Sequence, residues 1–187
     1  MKLPIDTSGQ LVWVIANTEA CLSESKNIQP IHFWLGILKL LDKHIPKALD
    51  ELELTADKRA CALCVIRQVG GYLEISQQRA TRLRRTIRKK LRQGVVMKDP
   101  EKIEALHRSD EMREVFGLAG EIANRNGDKS ISLYHITQAL FDSGQITLKN
   151  FKSETSSKPG SDGAKWMFLL AIFIYLPASC LCIFSQS

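Results

Sequence analysis

An all-α fold is predicted for this chain: two pseudo-symmetric helical repeats with an inserted basic helix, followed by a transmembrane helix near the C-terminus. Three observations predict it. The stretch LVWVIANTEACLSESKNIQPIHFWLGIL is followed, 103 residues on, by EVFGLAGEIANRNGDKSISLYHITQALF, the same plan without a gap. No run alternates with a period of two for long enough to demand a sheet. Residues 166–184 give nineteen positions in a row without a charge.

Placing His32 over His135 puts Ala16 on Ala119, Ala20 on Ala123, Lys26 on Lys129 and Ile28 on Ile131. The apolar pairs Val12/Val115, Trp13/Phe116, Ile15/Leu118 and Ile37/Leu140 keep the same register. A match at fixed offset means one supersecondary unit used twice, each copy burying a face that the other supplies.

In chain order, Thr7 is expected to cap a first helix in which Leu11, Val12, Ile15, Ala16, Glu19, Ala20 and Leu22 follow helical spacing with one apolar stripe, running to about Lys26. Pro30 suits the first position of a second, short helix ending near Leu41, because its missing N–H has no intrahelical partner there. A further helix opens at Lys43-His44-Ile45-Pro46 and carries Ala48, Leu49, Leu52 and Leu54. Another spans about Thr55 to Val69, with Gly70-Gly71 expected to break the chain. In the second copy Ser109 or Asp110 caps the long helix, Asn126-Gly127 ends it, and Ser132 caps the helix Leu133 to Phe141.

These residues resemble one known family. A long helix, a loop with a buried Ile, then Ile28-Gln29-Pro30-Ile31-His32-Phe33-Trp34-Leu35-Gly36-Ile37-Leu38 and Ala48-Leu49-Asp50-Glu51-Leu52-Glu53-Leu54 look like one Clp repeat. Ile131-Ser132-Leu133-Tyr134-His135-Ile136 is similar. Two such repeats in tandem make the Clp N-terminal domain, the helical module at the front of ATP-dependent Clp unfoldases. The resemblance covers roughly residues 4–143. The copies stand farther apart than is usual in that family, and the second lacks the trailing helix of the first. The domain plan that follows is residues 1–148 as a double repeat, with repeat 1 at 7–54, the basic helix at 72–93 and repeat 2 at 109–143. The resemblance implies recognition of substrates or adaptors for Clp-type proteolysis or disaggregation, with protein clients or a Clp-type unfoldase as partners.

From Ile75 to Lys98 there is no carboxylate, while arginines and lysines crowd residues 79–92. Leu83, Ile87 and Leu91 form a narrow apolar stripe, and the helical period is expected to set Arg82, Arg85, Arg88, Lys89 and Arg92 on the opposite side. These five are the candidate contacts to an anionic surface. The plain reading is the solvated face of a linker helix. A membrane surface is the next reading, since each Lys or Arg near anionic lipid gains about 1 kcal/mol. Nucleic acid is the weakest, because no aromatic residue interleaves with the arginines to stack on bases.

The +6 net charge resides wholly on residues 1–165, because residues 166–187 carry none. Residues 149–165 (KNFKSETSSKPGSDGAK) read as a flexible linker. Residues 166–184 at 1.5 Å per residue reach about 28 Å, close to the hydrocarbon thickness of a bilayer. Ten Leu, Ile or Phe residues favour insertion by about 3 to 6 kcal/mol. Pro177 is expected to kink the span without forbidding it, and Trp166 to sit at the interface. Lys149, Lys152, Lys158 and Lys165 would then keep the larger part in the cytoplasm. A helix docked on the soluble body is the alternative.

Pro4, Asp6 and Thr7 interrupt the start, so no cleaved signal peptide is expected. Five cysteines, at 21, 61, 64, 180 and 182, fit a reduced cytosolic setting. No GxxxxGK[ST], GxSxG or HExxH motif occurs, so neither ATP-driven unfolding nor a catalytic or metal site is expected, and no cofactor. Cys61 and Cys64 form a lone CxxC on a predicted helix, read as ordinary helix residues, with a redox pair or half a shared metal site as the alternative. His32 and His135 are read as structural histidines rather than as ligands of a shared metal, and His44 and His107 as surface residues.

Overall fold

The computed structural model describes residues 3–42, 54–92 and 106–147, all within the unit Met1–Phe151. Among these residues the secondary structure is helical: α1 (Thr7–Leu22), α2 (Pro30–Leu40), α3 (Ala56–Leu73), α4 (Gln77–Leu91), α5 (Asp110–Asn126) and α6 (Leu133–Asp142). The expected helix from Lys43 and the linker and apolar tail from residue 148 onward lie outside the described residues.

α1 begins one residue earlier than Thr7 would cap it. Asp6 is the cap, its carboxylate accepting the Gly9 N–H at 2.8 Å, where its charge also complements the helix dipole. The helix stops at Leu22, short of Lys26, because Glu24 adopts the left-handed conformation (φ 55). Ser25 N–H then reaches back to the Ala20 carbonyl and Glu24 N–H to that of Cys21, the Schellman closure. α5 ends the same way: Gly127 takes φ 78, and Asp128 N–H donates to the Ala123 carbonyl at 2.9 Å.

α3 departs from expectation. It runs straight through Gly70-Gly71 and ends at Glu74, which is left-handed at φ 51. Two glycines cost a helix about 1 kcal/mol each relative to alanine. Ile66, Val69 and Leu73 offset this by forming one buried stripe that spans the pair.

α2 is the centre of the body. Phe33, Trp34, Leu35, Ile37, Leu38 and Leu40 are all buried, so it presents apolar surface on every side. α1, α4, α5 and α6 all pack on it, and α3 packs on α1 and α6.

Two backbone junctions hold α1–α2 to α5–α6, and they are reciprocal. Ile5 pairs in parallel with Ile131, and Ile28 in parallel with Arg108. Asp6 N–H donates to the Ile131 carbonyl (3.0 Å) and Ile131 N–H to that of Pro4 (2.8 Å). In the other junction Ser109 N–H donates to the Ile28 carbonyl (3.0 Å) and Ile28 N–H to that of His107 (2.8 Å). Every residue of one junction lies 103 positions from its counterpart in the other. The segment ahead of each long helix thus fastens to the loop of the opposite helix pair.

Candidate functional site

Beside the Ile5–Ile131 junction lies an open, mainly apolar cleft of about 610 Å³, within the range usual for ligand sites. Leu3, Ile5, Phe116 and Ile131 give it apolar walls, and Gly117 and Gly120 leave the α5 backbone bare along it. A Cβ added at Gly117 would meet nothing within 4 Å, and one at Gly120 would touch only Ile131 Cδ1 at 3.7 Å. Space, not packing, lies over these two glycines.

The polar lining is graded along α5. Arg108 and Arg113 lie towards its start, and Glu121 and Asn124 lie farther on. The Arg108 guanidinium carbon stands 4.8 Å from the Trp13 ring and 4.7 Å from the Phe116 ring. Those rings meet edge to face 5.3 Å apart, and Phe33 completes the cluster. Cation–π contact of this kind contributes about 0.5 to 2 kcal/mol. Among the described residues no carboxylate lies within ion-pair distance of Arg108. Burial, and then repulsion from Arg113, lower its pKa. Arg113 itself pairs with Asp110 at 2.8 Å on the exposed side of α5.

The expected basic face is divided by the fold. Ala80, Leu83 and Ile87 are buried, and Arg82, Arg85 and Lys89 are exposed as predicted. Arg88 and Arg92 are not on that face. Arg88 Nε donates to Glu19 Oε2 at 2.9 Å, its Nη2 contacts Glu19 Oε1, and Arg92 Nη2 lies 3.3 Å from Oε2. Arg84 pairs with buried Asp42 at 2.8 Å. These arginines stand one residue past Leu83, Ile87 and Leu91, at the margin of the apolar stripe, so docking the stripe carries them onto α1 and the end of α2. Glu19 is only 2% exposed. A buried carboxylate needs such partners.

His32 and His135 both serve the helix starts. The Nδ1 of each accepts the backbone N–H of its own cap residue, Gln29 at 3.0 Å and Ser132 at 3.1 Å. That places the ring proton on Nε2, which faces Ser23 Oγ at 3.1 Å in one case and Asp128 Oδ2 at 3.0 Å in the other. Burial pushes the His32 pKa down to about 4, against the opposing pull of Glu19, so this ring is neutral at pH 7. His107 is exposed. His44 lies outside the described residues.

Cys61 and Cys64 are exposed on α3 and free, and Cys21 is half-buried. Among the described residues no group of three or more His, Cys, Asp or Glu side chains is placed to hold a metal, and no helix is long and apolar enough to cross a membrane. The span expected at 166–184 falls outside them.

Sequence reasoning passed over Arg108, Gly117 and Gly120, and read Glu19 only as a member of the stripe along α1. The one available signal was internal: in the 103-residue register Gly117 and Gly120 fall on Val14 and Asn17, and Glu19 falls on Ile122. No protein-family model matches this chain, and no curated protein matches it.

Proposed function

We propose that this chain is a non-catalytic protein-binding module of the Clp N-terminal type, used without an attached ATPase and held at a membrane by residues 166–184. The reciprocal junctions carry this reading. Two helix pairs fastened each to the other at one offset are what a tandem repeat would give, and they leave an apolar cleft beside a seam with bare helix backbone in it. An extended segment of a client would lie in such a cleft. The tether rests on the sequence of 166–184 alone, which is long and apolar enough for a bilayer.

Crosslinking and affinity purification from membranes, with and without residues 166–187, tests the module and the tether together. Recovery of a Clp-type unfoldase, protease or client in both preparations supports the module, and loss of membrane association in the shortened chain supports the tether. Failure to recover any such protein from either preparation would sink the module.

A second reading is favoured by the exposure of Arg82, Arg85 and Lys89, the first two of which line a cleft of about 630 Å³: α4 binds anionic lipid, with the other helices as scaffold. It predicts vesicle binding that weakens with salt and is lost when these three residues are changed to Gln.

A further inference from the structure

The charge layout of the cleft says more than that it is apolar. Arg108 lies over two rings that meet each other on one side of it, Trp13 and Phe116, which leaves the rest of the guanidinium and its N–H donors for an acceptor. Among the described residues no carboxylate fills that role. A guanidinium fork of this kind matches a carboxylate in geometry as well as charge. Arg113 stands nearby, paired with the exposed Asp110, so two guanidinium groups line the start of the cleft, while its far part has Glu121 and Asn124. From Arg113 to Glu121 the helix rises about 12 Å, which three or four residues of an extended chain cover. Between the two ends the lining is Ile5, Phe116, Ile131 and the two glycines.

We propose that the cleft binds an extended peptide at a carboxylate flanked by an apolar side chain, with the carboxylate on Arg108 and Arg113 and the side chain over Gly117 and Gly120. This inference rests on the protein-binding reading and gives its ligand a chemistry. The carboxylate can be a chain terminus or an Asp or Glu side chain. Binding has a direction, since the reversed peptide would set its carboxylate against Glu121. The two helix pairs differ at this place. In α1–α2, Asn17 stands where Gly120 stands, and its side chain is spent on the Leu106 N–H at 2.8 Å.

The test uses the full chain in nanodiscs of zwitterionic lipid and fluorescence anisotropy with three short labelled peptides. One ends in Leu with a free carboxylate, one is its carboxamide, and one is the carboxamide with Asp beside the Leu. The free acid is expected to bind about tenfold more tightly than the plain carboxamide. The Asp peptide either recovers that tenfold, which assigns the site to side-chain carboxylates as well, or does not, which assigns it to chain ends.

Arg108→Gln is expected to remove the acid-over-amide preference. Gly120→Asn is expected to weaken all the peptides while leaving the thermal midpoint unchanged or raised, so that loss of binding is not loss of fold. Equal binding of acid and amide, an unchanged ratio in Arg108→Gln, or no binding of any peptide overturns the proposal. The module reading is decided separately, by the proteins recovered from membranes.

Discussion

At the 103-residue offset, the helix pairs α1–α2 and α5–α6 share a backbone plan and spend their side chains differently. Both close their long helix with a left-handed residue, start their short helix with a histidine turned back on its own cap, and fasten to the other pair through two hydrogen bonds. Yet Glu19, with its arginines, stands where the second pair has Ile122, and Asn17 where it has Gly120. The first pair is committed inward, to α4 and to the seam. The second keeps a bare helix surface and an arginine with rings and, among the described residues, no carboxylate at ion-pair distance. Two helix pairs of one backbone plan allow this division, because one can carry packing and ion pairs while the other leaves helix surface uncovered.

The sharpest way to separate the two pairs is pH. The folded pKa of His32, about 4, lies below the 6.5 of the free ring, so the unfolded chain takes up the proton first. Stability contributed by the neutral ring is complete above pH 6.5 and is lost as pH falls towards 4, a change of about 3 kcal/mol. Urea midpoints measured across this window should fall, and His32→Gln should remove most of the slope.

Next in size is Glu19→Gln, which strips the charge partner from Arg88 and Arg92. Their side chains are 27% and 23% exposed, so the loss should sit at or below the lower end of the buried-pair range, about 2 to 3 kcal/mol. Replacing Glu19 by Ile, the residue that stands there in the second pair, together with Arg88 by Met should restore most of it. If the double variant is no better than the single one, the inward commitment of the first pair is not electrostatic.

Ser8→Ala tests the opposite asymmetry. The buried Ser8 hydroxyl accepts the Leu133 N–H at 2.9 Å, while at the related place Pro30 has no N–H to satisfy. The variant should lose about 1 to 3 kcal/mol by denaturation, whereas Glu111→Ala at the related position should change little. Glu24→Gly, which copies Gly127, should gain about 1 kcal/mol by relieving a left-handed non-glycine residue, seen as a higher thermal midpoint. Smallest of all, Arg82→Gln, Arg85→Gln and Lys89→Gln should each stay within about 0.5 kcal/mol, in contrast to Arg88→Gln on the same helix.

The helix content was legible because it is written in periodicity and caps: Pro30, Ser109, Ser132 and Gly127 act where their chemistry says they should. What escaped was set by partners distant in sequence. Gly70-Gly71 looked like a break because the cost of glycine is local, while the buried stripe that outweighs it depends on α1 and α6. Arg88 and Arg92 looked solvent-facing because the period of α4 cannot show a carboxylate waiting on α1. Arg108 gave no signal of its own, since one of its two rings is Trp13, far back along the chain. The cleft glycines were nearer to hand: at the 103-residue offset Gly117 and Gly120 fall on Val14 and Asn17, both of which carry side chains.

The crossed fastening has a practical consequence for anyone handling the protein. Pro4, Ile5 and Asp6 are neighbours of α1 in sequence, but their hydrogen bonds are to Ile131, and Ser8 tops α6. Trimming or crowding the first few residues would therefore damage the distant half of the body, and with it the cleft that Leu3 and Ile5 wall. An affinity tag fused at the amino end is a poor choice for measuring peptide binding, and a binding defect seen with one would say more about the tag than about the site.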